Sequence, residues 1–155
     1  MDKLITQYLH WSPYSVEITN AVDWSGGNDG AFVHEEQGSW HLSANGKPRI
    51  LLDPDARHIF AVFVHEATHA RHYRRNCRCY RTNNYTLREY HAYRAEVAIL
   101  LRFRQKEALQ YLIEILQPEL YHSCPSYYVE AMTMIHKSRI WAKAVAFLES
   151  APKVP

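Results

Sequence analysis

Residues 63–70 read Phe63-Val64-His65-Glu66-Ala67-Thr68-His69-Ala70, and this stretch decides the fold of the chain. Side chains four residues apart lie one above the other on a helix, so His65 and His69 can direct ring nitrogens at one metal ion. Glu66 flanks the same position, where a carboxylate can take a proton from a water molecule and pass it to a leaving amine. The pattern His-Glu-x-x-His therefore predicts a helix that carries a metal centre.

The surrounding sequence favours a buried helix for this pattern. Residues 59–64 are all apolar, and neither glycine nor proline occurs between residues 56 and 75. Asp53 and Pro54 are typical of a helix start, as the N-cap and the first helical residue. We therefore expect the helix to begin at Pro54 and to reach residue 75.

A catalytic zinc centre needs a third protein ligand, since such sites hold three protein ligands and leave one position for water. Glu89 and Glu96 are the candidates, because they lie two turns apart on one face of a second helix that we predict over residues 86–107. Only one of them can reach the ion. We favour Glu89, since the small side chain of Ala92, one turn later, leaves room for close approach of the two helices.

Each glutamate has an alternative interpretation. Thr86 and Glu89 have the spacing of a capping box, in which Glu89 would only satisfy the start of its own helix. Glu96 could orient a histidine ring beside the ion, or pair with the arginine at position 102 or 104. The identity of the third ligand therefore stays open between Glu89 and Glu96.

Two further histidines are weaker ligand candidates. His91 lies about 200° from Glu89 around the helix, so the two side chains cannot face the same ion. His72 continues the face of the motif histidines, but the sequence lacks the glycine and the third histidine of a metzincin pattern. We expect His72 either beside a ligand or, more simply, at the surface.

The rest of the chain indicates an α+β fold. Short strand-like segments separated by turn formers precede the motif helix, at residues 31–34, 39–43 and 49–52. The Asn45-Gly46 pair predicts a hairpin between the last two, and residues 16–22 fit either a strand or a short helix. Residues 108–116 and 126–149 predict further helices. We expect a small antiparallel sheet, then the motif helix, and then a mostly helical C-terminal half.

Length and composition limit the remaining possibilities. A chain of 155 residues is expected to form one domain, residues 1–155, and a net charge of +2 implies no global role as a polyelectrolyte. Three cysteines, an odd number, argue against a disulfide framework. A Cys₃His zinc site from Cys77, Cys79, Cys124 and His122 is arithmetically conceivable, but reduced thiols are the simpler expectation. Without a signal-peptide core or a membrane span, we expect a cytoplasmic protein that does not contact membranes; export by a specialised route stays open.

On these residues the chain resembles the zincin metallopeptidases of the gluzincin type, over residues 49–100. In that family a His-Glu-x-x-His helix is followed by a glutamate on a second helix, here Glu89 in Glu89-Tyr90-His91-Ala92. The second element is similar to that of toxin-type zincins and of small peptidase-like domains in phage and stress-response proteins. One departure is Arg71, where zincins usually carry an apolar residue.

The resemblance implies an enzyme with a zincin-like fold and Zn²⁺ as its cofactor. His65, His69 and Glu89 would hold the metal, and Glu66 would act as general base and then general acid in the hydrolysis of a peptide bond. The substrate would be a peptide or protein that adds to the cleft as an extra strand. Residues 49–52 would form the edge of that cleft or its neighbour.

Zincins often supply a tyrosine or histidine that donates a hydrogen bond to the oxyanion of the reacting carbonyl. Tyr80 and Tyr85 precede the second predicted helix and are the candidates for this catalytic role by sequence order alone. The alternative interpretation of each is a packing or surface tyrosine.

Two other functions fit the sequence. Five arginines fall within eleven residues, at Arg71, Arg74, Arg75, Arg78 and Arg81. They would suit a catalytically inactive zincin-like binding module that contacts nucleic acid or an acidic protein partner, although a solvated helix end also attracts cations. The other alternative is a hydrolase that cleaves a non-protein amide, such as that of a cell-wall peptide.

Overall fold

The N-terminal part of the protein contributes a three-stranded sheet. A computed structural model describes residues 15–18, 38–42 and 48–150 of the chain. The strands are β1 (Ser15–Ile18), β2 (Gly38–Leu42) and β3 (Pro48–Leu52). β3 lies in the centre, with β2 antiparallel to it and β1 parallel to it.

The small antiparallel sheet that we predicted is therefore not what forms, because the sheet is mixed. The β2–β3 pairing agrees with the predicted hairpin. Of the ambiguous segment 16–22, the described residues 16–18 belong to strand β1. A tight turn cannot join two parallel strands, so no turn signal in the sequence predicts the β1–β3 pairing. The predicted strand at residues 31–34 and the Asn45-Gly46 turn lie outside the described residues.

The rest of the described chain is mostly helical, which confirms the prediction of a mostly helical C-terminal half. The helices are α1 (Ile59–Arg74), α2 (Arg78–Arg81), α3 (Tyr85–Arg102), α4 (Lys106–Ile115), α5 (Ser126–His136) and α6 (Arg139–Glu149). A 3₁₀ helix, Pro118–Tyr121, connects α4 to α5. None of the helices in the described part of the chain has the length and apolar character needed to cross a bilayer.

The motif helix starts later than predicted. Asp53 does not cap it: the Asp53 Oδ1 atom accepts a hydrogen bond from the Asp55 amide at 2.9 Å, and the Ala56 amide donates to the Asp53 carbonyl at 3.2 Å. These contacts close a turn of the kind that aspartate side chains favour. The aspartate and proline that suggested a helix start therefore belong to a turn between β3 and α1, and the helix begins at Ile59.

The start of α3 also differs from the prediction. Asn84 is the N-cap, since its Oδ1 atom accepts a hydrogen bond from the Leu87 amide at 2.9 Å. Thr86, the predicted cap, instead donates to Glu130 on α5 at 2.7 Å. Glu89 therefore does not occupy the third helical position, and the capping-box interpretation of this residue is wrong.

Two predicted helices end early. α3 ends at Arg102 rather than residue 107, because Arg104 adopts a left-handed conformation with φ of 52°. The helix predicted over residues 126–149 is broken at Ser138, which has an extended backbone and caps α6 by accepting from the Trp141 amide at 3.3 Å. Serine competes with helical hydrogen bonding in this way, which is why it favours helix starts.

The core forms where α1 packs against β3 and α3. Ile50 and Leu52 of β3 meet Phe63 and Val64 of α1, and Val97 of α3 completes this layer. α3 continues the core toward α4, α5 and α6. Each fully buried side chain of this size stabilises the fold by about 1.5–3 kcal/mol. Packing on both sides therefore fixes the relative position of α1 and α3.

Replacing Leu100 of α3 with alanine tests this arrangement. Its side chain is completely buried, so the substitution leaves a cavity and should lower the free energy of unfolding by about 2–5 kcal/mol. Urea denaturation followed by circular dichroism measures the loss. Leu120, which is 36% exposed, is the matched control, since its replacement with alanine should change stability by about 0.5 kcal/mol or less. Equal losses in the two variants would contradict the described core.

Candidate functional site

Three side chains from α1 and α3 converge at the centre of the molecule. The Nε2 atoms of His65 and His69 lie 3.0 Å apart. Glu89 of α3 places Oε2 at 3.3 Å from the first nitrogen and Oε1 at 3.4 Å from the second. One turn of α1 separates the histidines, and the close packing of α3 supplies the carboxylate. The three residues thus form a compact triangle of donor atoms.

The size of this triangle fits a tetrahedral zinc site. With bonds of 2.0–2.2 Å to nitrogen and oxygen, ligand atoms around zinc lie about 3.3–3.5 Å from one another. The observed separations between the His65, His69 and Glu89 donors are 3.0–3.4 Å. Two imidazoles and one carboxylate are also a ligand set that catalytic zinc uses. These three residues could therefore hold a metal without rearrangement of the backbone.

Glu96 contacts the other side of the His65 ring. Its Oε1 atom lies 2.5 Å from His65 Nδ1, and the residue is only 5% exposed. Because Nδ1 and Nε2 are on different sides of the imidazole, Glu96 orients the ring rather than joining the donor triangle. A carboxylate in this position fixes the tautomer of a metal-binding histidine and raises its basicity. Of the two open candidates for the third ligand, only Glu89 belongs to the triangle.

Burial and charge shape the protonation of these groups. Burial lowers the pKa of His65, but the hydrogen bonds to Glu89 and Glu96 outweigh it, so the pKa lies well above its usual value. Burial, with the neighbouring His65, lowers the pKa of His69 to about 3. Burial raises the pKa of Glu96, and its hydrogen bond to His65 opposes this. The two glutamates therefore favour a proton on His65, which zinc would displace on binding to the donor triangle, whereas His69 already offers a lone pair.

A cavity of about 380 Å³ opens beside the donor triangle. All the favoured catalytic and metal-binding candidates line it: His65, Glu66, His69, Tyr80, Tyr85, Glu89 and Glu96. The weaker candidates His72 and His91 do not. Apolar side chains also line it: Ala61, Val62, Ala108, Leu112 and Ile115. The cavity thus combines polar and metal-binding groups with apolar surface.

Arg88 is a cavity residue that sequence reasoning missed. Its guanidinium group donates to the Asn83 side chain at 2.7 Å and to the Cys79 carbonyl at 3.3 Å. It also lies over the rings of Tyr80 and Tyr85, at 4.1 Å and 4.6 Å from their centroids. Arg88 thereby fixes both tyrosines at the cavity wall. The one indication of Arg88 in the sequence is its position next to the candidate ligand Glu89. Sequence reasoning overlooked it because many other arginines lie nearby.

Tyr93 is a second residue that the sequence reasoning missed. It lies four residues after Glu89 on α3, and its ring packs edge-on against His65 with centroids 4.9 Å apart. Its hydroxyl is buried and has no hydrogen-bond partner among the described residues. Burial raises the pKa of Tyr93 well above its usual value, so the hydroxyl stays protonated. The helical spacing from Glu89 and Glu96 is the signal that could have identified it.

No protein-family model, curated protein or solved structure matches the chain. The resemblance to zincins therefore rests on the motif residues alone. The geometry of those residues in this structure is independent of the resemblance.

Replacing Glu96 with glutamine tests its contact with His65. The amide keeps the shape of the side chain but removes the negative charge beside Nδ1, so the affinity for Zn²⁺ at the donor triangle should fall by about 10- to 100-fold. Competition with a chelator of known affinity measures the change. Glu114→Gln is the matched control, because Glu114 is exposed and bonds only to Gln110 in the same helix. Unchanged affinity in the Glu96 variant would contradict a role in orienting the ring.

Proposed function

We propose that the protein is a zinc-dependent metallopeptidase with a zincin-like fold. The observation that carries this proposal is the donor triangle of His65, His69 and Glu89, with Glu66 beside it in the same cavity. A ligand set without a nearby base would suit a structural site, and structural zinc sites usually have four protein ligands. Three ligands, a carboxylate and an open cavity favour a catalytic role instead.

Glu66 would move the proton that the reaction requires. When bound, zinc supplies a Lewis acid that lowers the pKa of water to about 7 and polarises the substrate carbonyl. Glu66 takes a proton from the attacking water as the water oxygen bonds to the carbonyl carbon. It then gives this proton to the amide nitrogen as the carbon–nitrogen bond breaks, which yields a carboxylic acid and an amine.

Tyr80 is the better of the two tyrosine candidates for stabilising the oxyanion. Burial raises the pKa of Tyr80, so its hydroxyl remains a hydrogen-bond donor at neutral pH. The negative charges of Glu89 and Glu66 also raise it, which is consistent with a position close to both. Tyr85 is nearly half exposed and packs against Tyr127, so a role at the mouth of the cavity suits it better.

The substrate would be a peptide that pairs with β2. Residues 49–52, the predicted edge or its neighbour, belong to β3, whose two sides are both occupied by other strands. β2 is an outer strand of the described sheet, and its Trp40 lines the cavity. A peptide that adds to an exposed strand gains main-chain hydrogen bonds. The apolar residues that line the cavity would then accept an apolar side chain of the substrate.

Replacing Glu66 with glutamine separates metal binding from catalysis. The variant should retain zinc, since Glu66 is not one of the three donors, but it should lose hydrolysis because glutamine cannot accept the proton. A library of quenched fluorescent peptides measures cleavage, and metal analysis of the same samples measures zinc. Glu114→Gln again serves as the control. Cleavage by Glu66→Gln at the parent rate would refute the mechanism.

Replacing Tyr80 with phenylalanine tests the oxyanion role. Loss of one donor that acts on developing charge should lower kcat by about 100-fold while KM changes little. The steady-state kinetics of a cleaved peptide measure both constants. Tyr73→Phe is the matched control, because Tyr73 contacts the Tyr80 ring but does not line the cavity. Equal kcat values for Tyr80→Phe and Tyr73→Phe would show that Tyr80 contributes only to packing.

The alternative is a binding module that uses the arginine cluster. Arg74, Arg75, Arg78 and Arg81 are exposed, and none forms an ion pair with a carboxylate in the described part of the chain. A salt titration of binding to a labelled oligonucleotide distinguishes this function. Steep salt dependence together with no peptide cleavage would favour it.

A further inference from the structure

A second cluster of potential metal ligands lies beside the donor triangle. His72, Cys79 and His91 each offer one donor atom, and these atoms lie within 4.8 Å of one another. The Cys79 sulfur is 3.9 Å from His72 Nδ1, and the rings of His72 and His91 are 4.8 Å apart with 32° between their planes. The three residues come from α1, α2 and α3, so the cluster joins three helices.

The chemistry of these donors selects a particular class of metal. One thiol and two imidazoles suit Zn²⁺ and other borderline or soft ions, whereas Mg²⁺ and Ca²⁺ require oxygen ligands. Around tetrahedral zinc, with Zn–S near 2.3 Å and Zn–N near 2.0–2.1 Å, the donors would lie about 3.3–3.6 Å apart. Rotation of the half-buried His72 and His91 side chains would close the remaining difference.

The surroundings favour ligation over other uses of the thiol. Cys79 is only 2% exposed and does not line the cavity, so a substrate has no route to its sulfur. Burial raises the pKa of the Cys79 thiol, which is the opposite of what a nucleophilic cysteine needs.

We propose that His72, Cys79 and His91 form a second zinc site, separate from the donor triangle of His65, His69 and Glu89. Water takes the fourth position of this second site, because both of its histidines are only half-buried. A coordinating thiol is deprotonated by the metal, so the Cys79 proton is released to solvent when zinc binds. This second site stands on its own geometry and does not require the proposed peptidase activity.

The second site would clamp α2 to its neighbours. α2 has only four residues, and Cys79 is its one buried side chain. Tyr80 follows Cys79 directly and lines the cavity. A metal ion bound by Cys79 and by the histidines of α1 and α3 would therefore fix the position of the segment that carries Tyr80. In this account Cys79, His72 and His91 are positioning residues for the cavity wall.

Cobalt substitution tests the site, because a thiolate bound to Co²⁺ gives a near-ultraviolet charge-transfer absorption that histidine and carboxylate ligands do not give. The band should appear during Co²⁺ titration of the parent chain and persist in His69→Ala, which damages only the donor triangle. It should disappear in Cys79→Ser and persist in Cys124→Ser, the matched control outside the cluster. Absence of the band in the parent, or its survival in Cys79→Ser, would overturn the proposal.

Zinc analysis separates this proposal from the proposed function. The parent chain should bind two Zn²⁺ ions, and both His69→Ala and Cys79→Ser should bind one. If the parent binds one ion that only His69→Ala removes, the second site is refuted and the donor triangle stands. If the parent binds one ion that only Cys79→Ser removes, the second site stands and the peptidase proposal loses its metal. A second variant, His91→Asn, changes a half-buried ligand and should also lose one ion. It keeps the test valid if Cys79→Ser misfolds, and circular dichroism checks the fold of each variant.

Discussion

The close packing of α1 against α3 is the constraint on which the site depends. Val64 of α1 and Val97 of α3 are completely buried in the apolar core. This packing fixes the distance between the two helices. Only at that distance does Glu89 reach both His65 and His69. The same packing brings Glu96 against the far side of the His65 ring. Apolar burial thus stabilises a cluster of charged and polar groups that would be costly to bury without partners.

The sequence predicted those parts of the site that follow from helical spacing. The four-residue separation of His65 and His69 places their rings together, and the seven-residue separation of Glu89 and Glu96 places both on one face of the second helix. The roles of the two glutamates could not be assigned from the sequence. The choice depends on the axial offset between α1 and α3, and this offset is set by core packing rather than by any local pattern.

The errors in the predicted helix starts have a common physical origin. Aspartate, threonine and serine side chains form hydrogen bonds equally well in helix caps, turns and tertiary contacts. The sequence alone does not show which of these hydrogen bonds Asp53, Thr86 and Ser138 form. Asp53 closes a turn, Thr86 bonds to another helix, and Ser138 starts a new helix. Likewise, His72 faces Cys79 and His91 rather than solvent, which only the arrangement of three helices could reveal.

The placement of both clusters of potential metal ligands on the same pair of helices limits where the chain can gain or lose residues. His69 and His72 are three residues apart on α1, and Glu89 and His91 are two apart on α3. Inserting or deleting one residue between the members of either pair would turn all that follows by about 100° about the helix axis. Such an indel would dismantle at least one cluster. Related chains that keep this chemistry should therefore place their insertions in the connections, outside α1 and α3.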